Sequence, residues 1–128
     1  MPLTVKRICA APAPEDGCRI LVDRLWPRGI KRDAARLDEW NKAVAPSTAL
    51  RQDFHRGGLD FAAFSARYGM ELDQNPAAAE LARFCRKQLA RGSVTLLYAA
   101  KNESENHALV LKRWLERALQ LTDPAQIT

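Results

Sequence analysis

The chain reads as a small three-layer α/β domain of Rossmann-like layout, with a short, mostly parallel sheet flanked by helices. Three observations predict it. Ile20-Leu21-Val22 and Val94-Thr95-Leu96-Leu97-Tyr98 are compact apolar runs that break abruptly into polar residues, as strands buried on both faces do. Between them lie stretches with apolar residues at helical spacing, each preceded by a residue able to cap a helix. One more amphipathic stretch follows the second run. Strands alternating with helices in this way produce a layered α/β fold.

The elements follow in order. Leu3 to Cys9 predicts a first strand anchored by Val5 and Ile8. Ala10 to Gly17 is a Pro-rich turn of eight residues, short for a helical crossover between parallel neighbours. Two arrangements stay open: the first two strands are antiparallel, or they are separated within the sheet. Cys18 to Asp23 is the second strand, and Leu25-Trp26-Pro27-Arg28-Gly29 is a turn that Pro27 stiffens.

Asp33 is placed to cap a helix carrying Leu37, Trp40, Asn41 and Val44 on one line. Ala45-Pro46 ends it, and Ser47 or Thr48 caps the next, which runs through Leu50 and Phe54 to the Arg56-Gly57-Gly58 break. Asp60 caps a helix with Phe61, Phe64, Tyr68 and Leu72 on one stripe. Asn75, followed by Pro76 at the first helical position, starts another, with Leu81, Phe84, Cys85 and Leu89 inward. Arg83, Arg86, Lys87 and Arg91 near its end complement the helix dipole, and Gly92 stops it. Ser93 to Ala100 is the clearest buried strand. A last helix carries Leu111, Trp114, Leu115 and Ala118, with Pro124 beyond its end in a frayed tail.

Composition bounds the function. At 128 residues the chain is expected to form one domain over 1–128, and hydrophobic and charged shares of 47% and 27% are those of a globular protein. Cys9, Cys18 and Cys85 are odd in number and far apart, and no C-x-x-C spacing occurs. No metal site is expected, and reduced thiols suit a cytoplasmic protein. Met1 to Arg7 lacks the apolar core of a signal peptide, and no apolar run approaches the ~18 residues of a membrane span. Neither G-x-G-x-x-G nor G-x-x-x-x-G-K-[ST] is present, so no nucleotide cofactor loop is signalled and no cofactor is expected.

Net charge is +5, and its placement says more than its size. Arg24, Arg28, Lys31, Arg32 and Arg36 face a single acid, Asp33, over thirteen residues. Such a cluster attracts phosphates, carboxylates or nucleic acid, although Lys31, Arg32 and Arg36 also read as a solvated helix face.

If strands 18–23 and 94–100 are parallel neighbours, their ends open on one crevice, where α/β folds place ligands. Asp23, Arg24, Trp26 and Arg28 would enter it from one side, and Lys101, Asn102, Asn106 and His107 from the other. Ser47 and Arg51 would reach it from between. His107 shares a helical line with Leu111 and Trp114, so it points at the sheet. The helix's positive pole favours a neutral ring able to accept a proton, which makes His107 with Asp23 a catalytic candidate. The structural alternative is a histidine that ties the helix to the Asp23 loop. Arg28 after Pro27 offers a stiffly held fork for carboxylate or phosphate. Trp26 either stacks on a ligand ring or belongs to the core.

Glu15-Asp16-Gly17, Leu21-Val22-Asp23-Arg24-Leu25-Trp26-Pro27-Arg28-Gly29, Ala45-Pro46-Ser47 with Leu50-Arg51, Thr95 to Lys101 and Asn106-His107-Ala108 together resemble the YeaO-like family of bacterial proteins, a domain of unknown function. The resemblance spans nearly the whole chain. It implies a small cytoplasmic α/β protein and transfers no activity. The chain departs at Cys18, where an aromatic is expected, and at His55, which precedes Arg56 rather than an aspartate.

Three functional expectations follow. The first is a site for an anionic small molecule, phosphate- or nucleotide-like, at the C-terminal strand ends, with or without turnover. The second is a nucleic-acid-binding or regulatory module using the basic 24–36 stretch. The third is a non-catalytic interaction protein whose polar strand ends brace the fold.

Overall fold

The structure is a computed structural model that describes residues 3–122. Met1, Pro124 and the tail lie outside them. Four parallel strands form the sheet in the order β1 (Leu3–Arg7), β4 (Val94–Tyr98), β2 (Cys18–Leu21), β3 (Glu39–Trp40). The first two strands are therefore separated, each flanking β4. Cys18↔Val94 and Leu3↔Val94 set the two registers. Pairing continues past the strands through Ile8 N to Tyr98 O and Val22 N to Leu97 O, so the sheet runs on to the residues where polarity begins.

Period-2 alternation divides the strands between two cores. Ile20, Val22, Leu96 and Tyr98 face α2 (Thr48–His55), α3 (Phe61–Asp73), α4 (Pro76–Leu89) and α5 (His107–Thr122). Leu21 and Leu97 face a thinner layer made by α1 (Arg32–Ala35), Trp26, Ile30, Leu37 and Trp40. The helix starts follow their caps. Ser47 Oγ accepts from Leu50 N, Asp60 from Ala63 N, and Asn75 from Ala77 N.

The segment after Asp33 departs from expectation. Leu37, Trp40, Asn41 and Val44 do not share a helix, and Asp33 is no cap. The helix is one turn long and stops at Arg36, whose φ of 51° is left-handed. Asp38 N then donates to Arg19 O, Asp38 Oδ2 accepts from Arg19 N, and Asn41 N donates to Leu21 O. This short ladder makes the segment an edge strand, followed by a 3-10 turn over Lys42–Val44. An open edge on β2 outweighed the helical spacing, because each unpaired buried backbone group is expensive.

Arg19 anchors that edge. It is 4% exposed, and its guanidinium donates to Ala35 O, Arg36 O and the Asp16 carboxylate, which also accepts from Lys6. Among the described residues no helix is long and apolar enough to cross a membrane.

Candidate functional site

The polar ends of β2 and β4 lie side by side and open on one cavity of about 560 Å³. The loop from Ala99 to Asn106 shapes one wall by bracing itself. Asn102 Oδ1 accepts from Ser104 N and Glu105 N, while buried Asn106 donates to Asn102 O and caps α5 through Leu109 N. That brace delivers Lys101 to the rim and starts α5 at His107.

His107 turns inward as its helical line requires. Its Nε2 lies 3.2 Å from Val22 O and 3.1 Å from Asp23 Oδ1. A backbone carbonyl only accepts, so Nε2 carries the ring hydrogen and Nδ1 is the remaining site of the ring. Asp23 Oδ2 accepts from Ala99 N at 3.2 Å. Asp23 Oδ1 is sealed from solvent and receives no hydrogen bond, the N–H of His107 being directed at Val22 O. Arg24 donates through one terminal nitrogen to Ala45 O and Pro46 O, and its Nε is buried without a partner. Two buried atoms of opposite character in residues that line the cavity, one acceptor and one donor, thus have unmet hydrogen-bonding capacity, an arrangement that native interiors rarely leave.

Of the residues expected in the crevice, Asp23, Arg24, Arg51, Lys101, Asn102, Asn106 and His107 line the cavity. Their states differ. Asn102 and Asn106 are committed to the loop and helix cap. Arg51 and Lys101 form no ion pair among the described residues, and they come from two separate elements, α2 and the β4–α5 loop.

Ser47, Trp26 and Arg28 do not line it. Ser47 is occupied as a cap, and its N–H and hydroxyl both donate to Glu71, at 2.9 and 2.6 Å. It faces a shallower groove beside α3. Trp26 turns to the thin core layer, where Nε1 donates to Ile30 O at 2.7 Å and the ring meets Trp40 edge-on. Arg28 is exposed on the loop after β2.

Phe54, Phe64 and His55 line the cavity beyond those expected. The two phenyl rings stack with centroids 4.4 Å apart and form an apolar wall. Arg51 and His55 lie one helical turn apart on α2, a spacing that puts both on one face. That i, i+4 relation was the available signal for His55. Phe64 was legible only as core. Among the described residues no three His, Cys, Asp or Glu side chains gather closely enough to hold a metal.

A family model described as the inactive DUF488-N3 subclade matches residues 2–127. The chain belongs to that family. It is 48% identical to the uncharacterized protein YeaO of Escherichia coli (strain K12) over 116 residues, which cover 90% of this chain and 97% of that protein. It is 41% identical over 111 residues to the uncharacterized proteins Mb3100c of Mycobacterium bovis and Rv3073c of Mycobacterium tuberculosis (strain ATCC 25618 / H37Rv), covering 87% of this chain and 91% of each. No solved structure gives a significant match. The YeaO-like kinship suggested by the Leu21–Gly29 string therefore extends over most of the chain.

Proposed function

We propose that the cavity at the ends of β2 and β4 binds a small anion of phosphate- or nucleotide-like chemistry and holds it without turnover. The observation that carries this reading is the pair Arg51 and Lys101, two cations without ion-pair partners among the described residues that line the same cavity as the Phe54–Phe64 stack. Unpaired cations supply charge for an anion, and an adjacent aromatic wall accepts a flat apolar group. Asp23 and His107 then act as fixed polar groups that orient the ligand. His107 beside Asp23 has the makings of a general base, since Val22 O accepts the Nε2–H and leaves Nδ1 to take a proton. The subclade's description as inactive favours binding over proton transfer here.

Titration calorimetry with AMP, ribose 5-phosphate, inorganic phosphate and adenosine tests the proposal. AMP is expected to bind more tightly than adenosine, and Arg51→Ala and Lys101→Ala to weaken AMP by about tenfold each, roughly the worth of one charge-assisted contact. Phosphorus NMR of AMP left with the protein should show no new resonance. Absence of heat with every phosphorylated probe at millimolar concentration removes the reading. A new phosphorus resonance that disappears in His107→Ala replaces binding with catalysis.

A further inference from the structure

The face of the sheet opposite the large core carries a second feature, independent of the cavity. Trp26 and Trp40 stand edge to face, 5.2 Å between centroids and 71° between planes. Both indoles are fixed from behind: Trp26 Nε1 donates to Ile30 O and Trp40 Nε1 to Asp23 O. Both rings are only partly buried, and exposed cations lie over them. The Arg32 guanidinium lies 4.5 Å from the Trp26 centroid and 5.4 Å from that of Trp40, and Lys42 Nζ lies 4.3 Å from Trp40. Arg28 and Lys31 extend the same loop and are exposed, with no ion pair among the described residues. The local acids do not cancel this charge. Asp33, Asp38 and Glu39 offset it only in part, since Arg28, Lys31, Arg32, Arg36 and Lys42 leave residues 28–42 with a net charge of +2.

We infer that this surface is a docking platform for single-stranded nucleic acid, with bases stacking on the Trp26 and Trp40 faces and Arg28, Lys31, Arg32 and Lys42 meeting the phosphates. The rings keep their places without the cations, because the backbone carbonyls hold their N–H groups. A base therefore needs only to displace a flexible, solvent-exposed side chain, whose cation–π contact is weak at the surface. The displaced cation then lies where a phosphate follows. Fixed aromatic faces inside a ring of unpaired cations are how proteins take up unpaired strands of any sequence. In a duplex the bases already stack on one another, so a double strand gains only the charge term.

Anisotropy of fluorescein-labelled oligo(dT) and oligo(U) of 15 nucleotides, titrated with the full chain in low salt, tests this. Binding is expected in the micromolar range with tryptophan quenching, and log K against log salt should slope by about −2 to −3, as three or four phosphate contacts give for single strands. Arg32→Ala with Lys42→Ala is expected to weaken binding at least about fivefold. Arg28→Ala with Lys31→Ala, which touches no ring, should weaken it comparably but keep the quenching. Arg83→Ala with Lys87→Ala on α4 removes equal charge elsewhere and should change binding less than about twofold. The inference fails if neither oligomer binds at 100 µM protein, if the α4 pair loses as much as the Arg32/Lys42 pair, or if a duplex of the same length binds as tightly. Preference between the two oligomers assigns DNA or RNA.

Discussion

Asp23 and His107 meet where β2 ends and α5 begins, with Oδ1 of one 3.1 Å from Nε2 of the other. The contact joins residues 84 positions apart and serves two purposes with the same atoms. It fixes the first turn of α5 against the sheet, and it sets two polar groups into the wall of the cavity. The pair braces the fold and, in the proposed reading, also orients the ligand, so removing either residue tests both.

His107→Ala should lower stability by about 1–3 kcal/mol, the cost of leaving Val22 O without its donor and emptying a half-buried ring site. Urea unfolding checks it: the midpoint should fall with an unchanged m-value. An unchanged midpoint would mean that water replaces the ring at no cost and that His107 is not a brace.

The Lys6–Asp16–Arg19 cluster predicts acid sensitivity. Burial alone would raise the Asp16 carboxyl, but the Ala13 N–H, Lys6 and Arg19 together outweigh it and hold the carboxyl below its ordinary 3.8. A folded value below the unfolded one gives stability that is complete above about pH 4 and is lost as pH falls through the folded value. Asp16→Asn should cost about 3 kcal/mol at pH 7, since it leaves Arg19 buried without its carboxylate. Between pH 4 and pH 2.5 the variant should lose less further stability than the wild type, which denaturant titrations at several pH values would show.

The three thiols should separate by reactivity. Burial, then the carboxylates of Asp38 and Glu39, pushes Cys18 up to about 11, and burial pushes Cys85 up to about 12. Cys9 is exposed. At pH 8 a disulfide reagent should label one equivalent quickly, and the other two at least about a hundredfold more slowly, because the thiolate is the reacting form. Full labelling should require denaturant. Two fast equivalents would mean that the start of β2 opens readily.

Much of this architecture was legible in the residues. Ser47, Asp60 and Asn75 each cap the helix expected after them, since capping is local chemistry that a sequence displays directly. The cavity wall was legible for the same reason: apolar runs that end in Asp23 and Lys101 mark strand ends. What escaped depends on partners remote in the chain. Trp40 has helical spacing from Leu37 and Val44, yet it pairs with Leu21, and nothing local announces that β2 lacks an edge neighbour. Ser47 looked available and is held by Glu71, 24 positions away. Trp26 read more readily as core than as a stacking ring, and Ile30 O and Trp40 hold it against the thin core layer.

Gly17 and Gly57 give the sharpest test of how the strands are brought together. Both have positive φ, 64° and 79°. A Cβ on Gly57 would meet nothing within 4 Å, so Gly57→Ala should cost only the left-handed strain, about 1–2 kcal/mol. A Cβ on Gly17 would meet the Ser93 carbonyl oxygen, the same oxygen that accepts from Cys18 N to begin the β2–β4 pairing. Backbone cannot step aside there without opening that pairing and the Thr95 hydroxyl's bond to Asp16 O beside it. Gly17→Ala should therefore cost on the order of 3–5 kcal/mol, in the range of severe packing and strain substitutions. Urea midpoints of the two variants should differ by more than the strain they share, and equal midpoints would show that the strand starts at Cys18 and Val94 are not held by this close approach.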